Sequence, residues 1–182
     1  MTVAFRANEV DDLGLVAYLR VVPSEDARQY DSVLFIVNAA GEPVEFCFSS
    51  LEAPRTVLWG KAALRRRVNA ELTRALLSAC TSSPVILLAR ADEIGPETFA
   101  EDAAPAIPSC RVTTRLEAVA VGVSDQEESL DENGEIQLVW TGAAPAADSA
   151  ARLVIERVVE SGLLLEPFER AIAGLAEVRR GE

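Results

Sequence analysis

Residues 32–50 read SVLFIVNAAGEPVEFCFSS. Two apolar runs, Ser32 to Asn38 and Pro43 to Ser50, flank the short connection Ala39-Ala40-Gly41-Glu42, which is the pattern of a β-hairpin. In the second arm Val44, Phe46 and Phe48 alternate with Glu45, Cys47 and Ser49, a period of two that predicts one buried and one wetter face. The first arm is apolar throughout, as a central strand would be.

Working outward, residues 13–22 (LGLVAYLRVV) form a third apolar run, closed by Pro23-Ser24-Glu25-Asp26. On the other side Pro54 opens a different texture. From Leu58 to Ala79 there is no proline, and Leu64, Val68, Leu72 and Leu76 recur every four residues, so this segment reads as a long amphipathic helix. Thr81-Ser82-Ser83-Pro84 stops it. Val85 to Ala89 (VILLA) then reads as a fully buried strand, parallel to its neighbour because a helix has returned the chain.

Residues 91–109, acidic and carrying Pro96, Pro105 and Pro108, read as a long surface connection with one helical turn around Pro96 to Ala100. Arg111 to Val123 reads as a strand and Ile136 to Trp140 as its partner. Between them lies an acidic segment with Glu127, Glu128, Asp131, Glu132 and Glu135, in which Asn133-Gly134 marks a tight turn. It lacks the spacing of a calcium loop and reads as a solvated hairpin tip. Residues 141–147 (TGAAPAA) read as a flexible linker to a C-terminal helical pair over 148–180. The chain as a whole, 1–182, reads as a single domain.

The fold class is therefore mixed α/β: a mixed sheet that starts with an antiparallel three-strand unit, then a long helix, a buried strand and two C-terminal helices. That order resembles the ribonuclease H-like one, an analogy of fold alone, since fold does not carry function.

Composition excludes several chemistries. The chain has no His, which removes the commonest general acid–base and every Ser-His or Cys-His nucleophile pair. Cys47, Cys80 and Cys110 are odd in number and far apart, which argues against a zinc site or disulfide framework and suits a reducing cytoplasm. There is no phosphate-binding glycine motif, signal pattern or apolar run long enough for a bilayer. Neither a metal nor another cofactor is expected. With 17 Lys plus Arg against 29 Asp plus Glu, the net charge is −12. Such a chain repels phosphate backbones unless its basic residues cluster. One cluster exists: Arg65, Arg66, Arg67 and Arg74, with Lys61 and Arg55, a candidate contact for an anion or an acidic partner. Successive residues turn by about 100° each, so the cluster makes no single stripe.

Three functions compete. The leading expectation is a non-catalytic protein-interaction or accessory subunit of a cytoplasmic complex, with a protein partner or a second copy of the chain and no direct nucleic-acid contact. Its interface would be the apolar stripe Phe168, Ile172, Leu175 and Val178 on the last helix. The alternative is a Mg²⁺- or Mn²⁺-dependent carboxylate phosphodiesterase or nuclease on the ribonuclease H-like order, with Asp12, Glu71 and Asp92 as metal ligands. The missing acid inside residues 13–22 counts against it. The third is a small-ligand binding domain.

Overall fold

The computed structural model describes residues 1–5, 13–24, 28–53, 60–114, 127–129 and 135–181. The three apolar runs become β2 (Leu15–Pro23), β3 (Gln29–Asn38) and β4 (Pro43–Glu52), paired antiparallel in sequence order. The hairpin between β3 and β4 closes on Asn38. Its Oδ1 accepts from the backbone N–H groups of Ala40 at 3.1 Å and Glu42 at 2.9 Å. Gly41 sits at φ 79°, a left-handed conformation that favours glycine.

After β4 the chain crosses through α1 (Lys61–Ala79) to β5 (Ile86–Arg90), which lies parallel to β2. Then follow β6 (Ser109–Thr114), parallel to β5, and β8 (Ile136–Trp140), antiparallel to β6. Two short strands complete the sheet, β1 (Thr2–Ala4) on β4 and β7 (Glu127–Ser129) on β8. The order across the sheet is β1-β4-β3-β2-β5-β6-β8-β7. Helices α2 (Ala150–Glu160) and α3 (Glu166–Gly181) follow. Ser149 caps α2, its side chain accepting from the Arg152 N–H. Among the described residues no helix is long and apolar enough to cross a membrane.

The alternation along the strands sends side chains into two cores. Val16, Tyr18, Phe35, Leu88, Val112 and Leu138 pack under α2 and α3. Ala17, Leu19, Leu34, Ile36, Leu87 and Ala89 pack under α1, against Val68, Leu72 and Leu76. The sheet is thus covered on both faces, which is why β2, β3 and β5 read as continuous apolar runs.

Three expectations are corrected. The wetter face of β4 is buried: Glu45 and Cys47 have no exposure, because the end of α1 lies over them. Burial raises the Glu45 carboxyl, but donors from Ser82 and Thr81 outweigh it and hold the pKa down at about 2. The acidic segment before β8 contributes a strand, and Glu128 is no tip residue. Its carboxylate accepts from Trp140 Nε1 at 3.0 Å and from Arg152 Nη1 at 2.6 Å. The helical turn after β5 is π-helical and spans Thr98–Asp102. The strand expected to reach Val123 is seen to Thr114, and residues 115–126 and the Asn133-Gly134 turn lie outside the described residues.

Candidate functional site

From β2 the chain builds to one side through β3 and β4, then crosses by α1 and builds to the other through β5 and β6. The reversal lies between the parallel strands β2 and β5. Open α/β sheets offer a crevice at such a point, outside the carboxyl ends of the strands.

Arg20 stands near the carboxyl end of β2, and Asp92 and Glu93 follow β5 directly. Arg20 Nε lies 2.8 Å from Glu93 Oε1 and 2.9 Å from Oε2. The two side chains are 14% and 12% exposed, so this is a largely desolvated pair. Further bonds satisfy both ends. Arg20 Nη1 donates to the Phe168 carbonyl at 3.1 Å, and the Val21 N–H donates to Glu93 Oε2 at 3.1 Å. A buried charge is tolerated only with this kind of pairing.

The same segment is tied to α1. Buried Asn69 donates through Nδ2 to the Glu93 carbonyl at 2.9 Å. Arg65 Nε donates to that carbonyl at 3.2 Å, and its Nη2 to the carbonyl of Asp92. Between the first half of α1 and the turn after β5 lies a cleft of about 320 Å³, lined by Arg65, Arg66, Asn69, Asp92 and Glu97 with Ala62, Ala91 and Gly95. Arg66 leans away to the π-helical turn, with Nε 2.8 Å from Asp102 Oδ2 and Nη2 2.8 Å from Glu101 Oε2. Those hydrogen bonds hold the Asp102 carboxyl below, and the Arg66 guanidinium above, their ordinary ranges.

The structure divides the expected basic cluster. Arg65 and Arg66 flank the buried row of α1 and reach the cleft. Arg67 and Arg74 are exposed further round the helix, Arg74 Nε donating to the Ala70 carbonyl at 3.2 Å. Arg55 lies outside the described residues.

The expected metal ligands do not come together among the described residues. Asp12 lies outside them. Glu71 is exposed on α1, turned away from the row Val68, Leu72 and Leu76. Asp92 Oδ1 is taken by Arg90 Nε at 3.2 Å. No group of three or more His, Cys, Asp or Glu among the described residues could hold a metal ion. Of the acids that follow β5 directly, Asp92 faces Arg90 and Glu93 faces Arg20.

The apolar stripe of α3 lies in this chain's own core. Phe168 is fully buried, with its ring edge-on to Tyr18 at 5.0 Å, and Leu175 is buried beside it. Ile172 and Val178 are half-buried. The stripe packs on β2 and β3, on the sheet face opposite α1.

Sequence reading did not single out Asn69, Glu97 or Arg20, the lone charge of residues 13–22. That loneliness was the usable signal: a charge inside an apolar strand must find a partner elsewhere.

No protein-family model and no curated protein sequence matches this chain. Solved structures do. An endonuclease V from Streptomyces avermitilis superposes with a TM-score of 0.59 at 11% identity, over 91% of this chain and 83% of that one. An endonuclease V from Ciona intestinalis, in complex with a DNA containing an inosine followed by a ribo-adenosine, gives 0.49 at 9% identity over 91% and 87%. An endonuclease V from Bacillus subtilis gives 0.46 at 13% identity over 86% and 81%. The first likeness agrees with the expected ribonuclease H-like order. The first likeness also corrects the sequence reading that put a non-catalytic interaction or accessory subunit first, with no direct nucleic-acid contact. The expectation of no direct nucleic-acid contact leaned on net charge, a sum over the whole chain, whereas the fold places Arg65 and Arg66 beside the carboxyl end of β5. The chain shares the fold of a nuclease.

Proposed function

We propose that this chain works on nucleic acid and grips the phosphodiester backbone at the cleft between α1 and the turn after β5. One observation carries the reading: in a fold shared with an endonuclease V, the arginines of α1 that reach a cleft stand at the switch point, where open sheets of this kind bind ligands. Arg65 and Arg66 each hold their position through Nε and Nη2, and a guanidinium has further N–H groups to offer a phosphate oxygen. Lys61, exposed one turn before Arg65, extends the basic edge. Three free thiols suit work in a reducing cytoplasm.

Metal-dependent phosphodiester cleavage is a second reading, favoured by the endonuclease V likeness and by the placing of Asp92 and Glu93. No step can be routed through a metal from the described residues. It would need Asp12, or another acid, to join Asp92 once Arg90 is displaced.

Single-stranded and duplex DNA and RNA, mixed with the protein with Mn²⁺ or Mg²⁺ and with chelator, test both readings on one gel. Retarded but intact strands in both conditions support backbone binding. Cleavage that needs the metal and is lost in Asp92→Asn supports the second reading. Free, intact strands at low salt would overturn both.

A further inference from the structure

Behind the cleft, in β6, stands a charge that no described contact explains. Arg111 is 4% exposed, and among the described residues its Nη1 has no hydrogen-bond partner. Its strand neighbours Cys110 and Val112 belong to the core under α2 and α3, so alternation turns Arg111 to the α1 side of the sheet. Among the described residues it makes no ion pair, and the opposite charge acting on it is Glu97. Glu97 lines the cleft, as does Ala91, whose N–H bonds the Val112 carbonyl at 3.0 Å. Arg111 therefore lies one strand behind the cleft wall. Thr98, next to Glu97 in the chain, is also fully buried with an unpartnered Oγ1.

A buried cation without a full set of partners costs stability, and proteins keep such groups mainly where a ligand completes them. Arginine stays charged even where burial disfavours its ion, so the cost is not relieved by losing a proton.

We infer that Arg111 is the buried cation of an anion site opening through the cleft, and that a phosphate oxygen completes it. The inference rests on the proposed function in one respect, that the phosphate belongs to a nucleic-acid backbone. Glu97 stands guard over the same site. Its carboxylate repels an incoming anion, so it must swing aside or be outcompeted as the phosphate enters.

The test uses the full chain and inorganic phosphate, at ionic strength held constant with chloride. The wild-type melting midpoint should rise with phosphate concentration. Arg111→Met, close in length and uncharged, should be no less stable than wild type without phosphate and should lose the response. Glu97→Gln should strengthen phosphate binding several-fold. A merely structural Arg111 gives the opposite pattern: Arg111→Met melts earlier and any phosphate response is unchanged, which overturns the inference, as does a wild type indifferent to phosphate. Should Arg111→Met fail to fold, Arg111→Lys keeps the charge but not the fork. It should bind phosphate about tenfold more weakly, and unchanged binding sinks the idea. A labelled oligonucleotide separates the two claims. A phosphate response that depends on Arg111, without oligonucleotide binding, removes the proposed function and leaves the anion site. Oligonucleotide binding indifferent to Arg111→Met removes the site and leaves the function.

Discussion

The Arg20 guanidinium lies across both oxygens of the Glu93 carboxylate and joins residues 73 apart in the chain. The pair locks the end of β2 to the turn after β5, and through the Phe168 carbonyl it reaches α3. Removing one partner strands the other charge. Glu93→Gln should therefore cost about 3–5 kcal/mol in urea unfolding, whereas replacing both with apolar residues, Arg20→Met with Glu93→Leu, should recover most of that loss. Additive losses in the double variant would show that the pair does not act as a unit.

Glu45 makes the stability depend on pH. Its folded pKa of about 2 lies below its ordinary value of 4.5. The stabilisation is thus fully present above about pH 5 and drains away as pH falls through the folded value. The gap corresponds to about 3 kcal/mol. Thermal melts of wild type and Glu45→Gln from pH 6 to pH 2 check this: the wild-type curve should fall more steeply, and parallel curves would refute it.

Leu72 is 2% exposed in the core under α1. Leu72→Ala should cost about 2–5 kcal/mol. A near-zero shift in the urea midpoint would mean that this face of the helix is not packed as described.

Burial pushes the Cys80 thiol up to about 12, and Cys47 and Cys110 are likewise raised, chiefly by desolvation. Few thiolates exist at pH 8, and the thiolate is the reacting form. Native protein should react with a disulfide reagent far more slowly than protein in denaturant. Equal rates would contradict the burial of these groups.

Much of the sheet was legible because its central strands are buried on both faces and read as unbroken apolar runs. The edges were not. Thr2–Ala4 and Glu127–Ser129 are three residues each, too short for a period to show, and the second is acidic. Glu45 looked like a solvent residue because its partners, Thr81 and Ser82, arrive from a turn 36 and 37 residues away. The stripe of α3 was plain from its spacing, but spacing alone cannot say which surface receives it. At the site, the basic cluster was visible as a run of letters. The helical turn between Arg66 and Arg67, which sends one to the cleft and the other to solvent, needed the helix's place on the sheet. Arg111 carried no mark in the sequence, since an arginine in a strand ordinarily faces water.

The central claim is that Arg65 and Arg66 hold nucleic-acid phosphates at the cleft. Its most direct measure is the salt dependence of oligonucleotide affinity, followed by fluorescence anisotropy for wild type and for Arg65→Ala with Arg66→Ala. Each phosphate contact contributes a slope of about 0.7–0.9 to log K against log salt. The double variant should bind more weakly and show a slope shallower by about one to two, with the fold retained. Equal affinity and equal slope in the two proteins would contradict it.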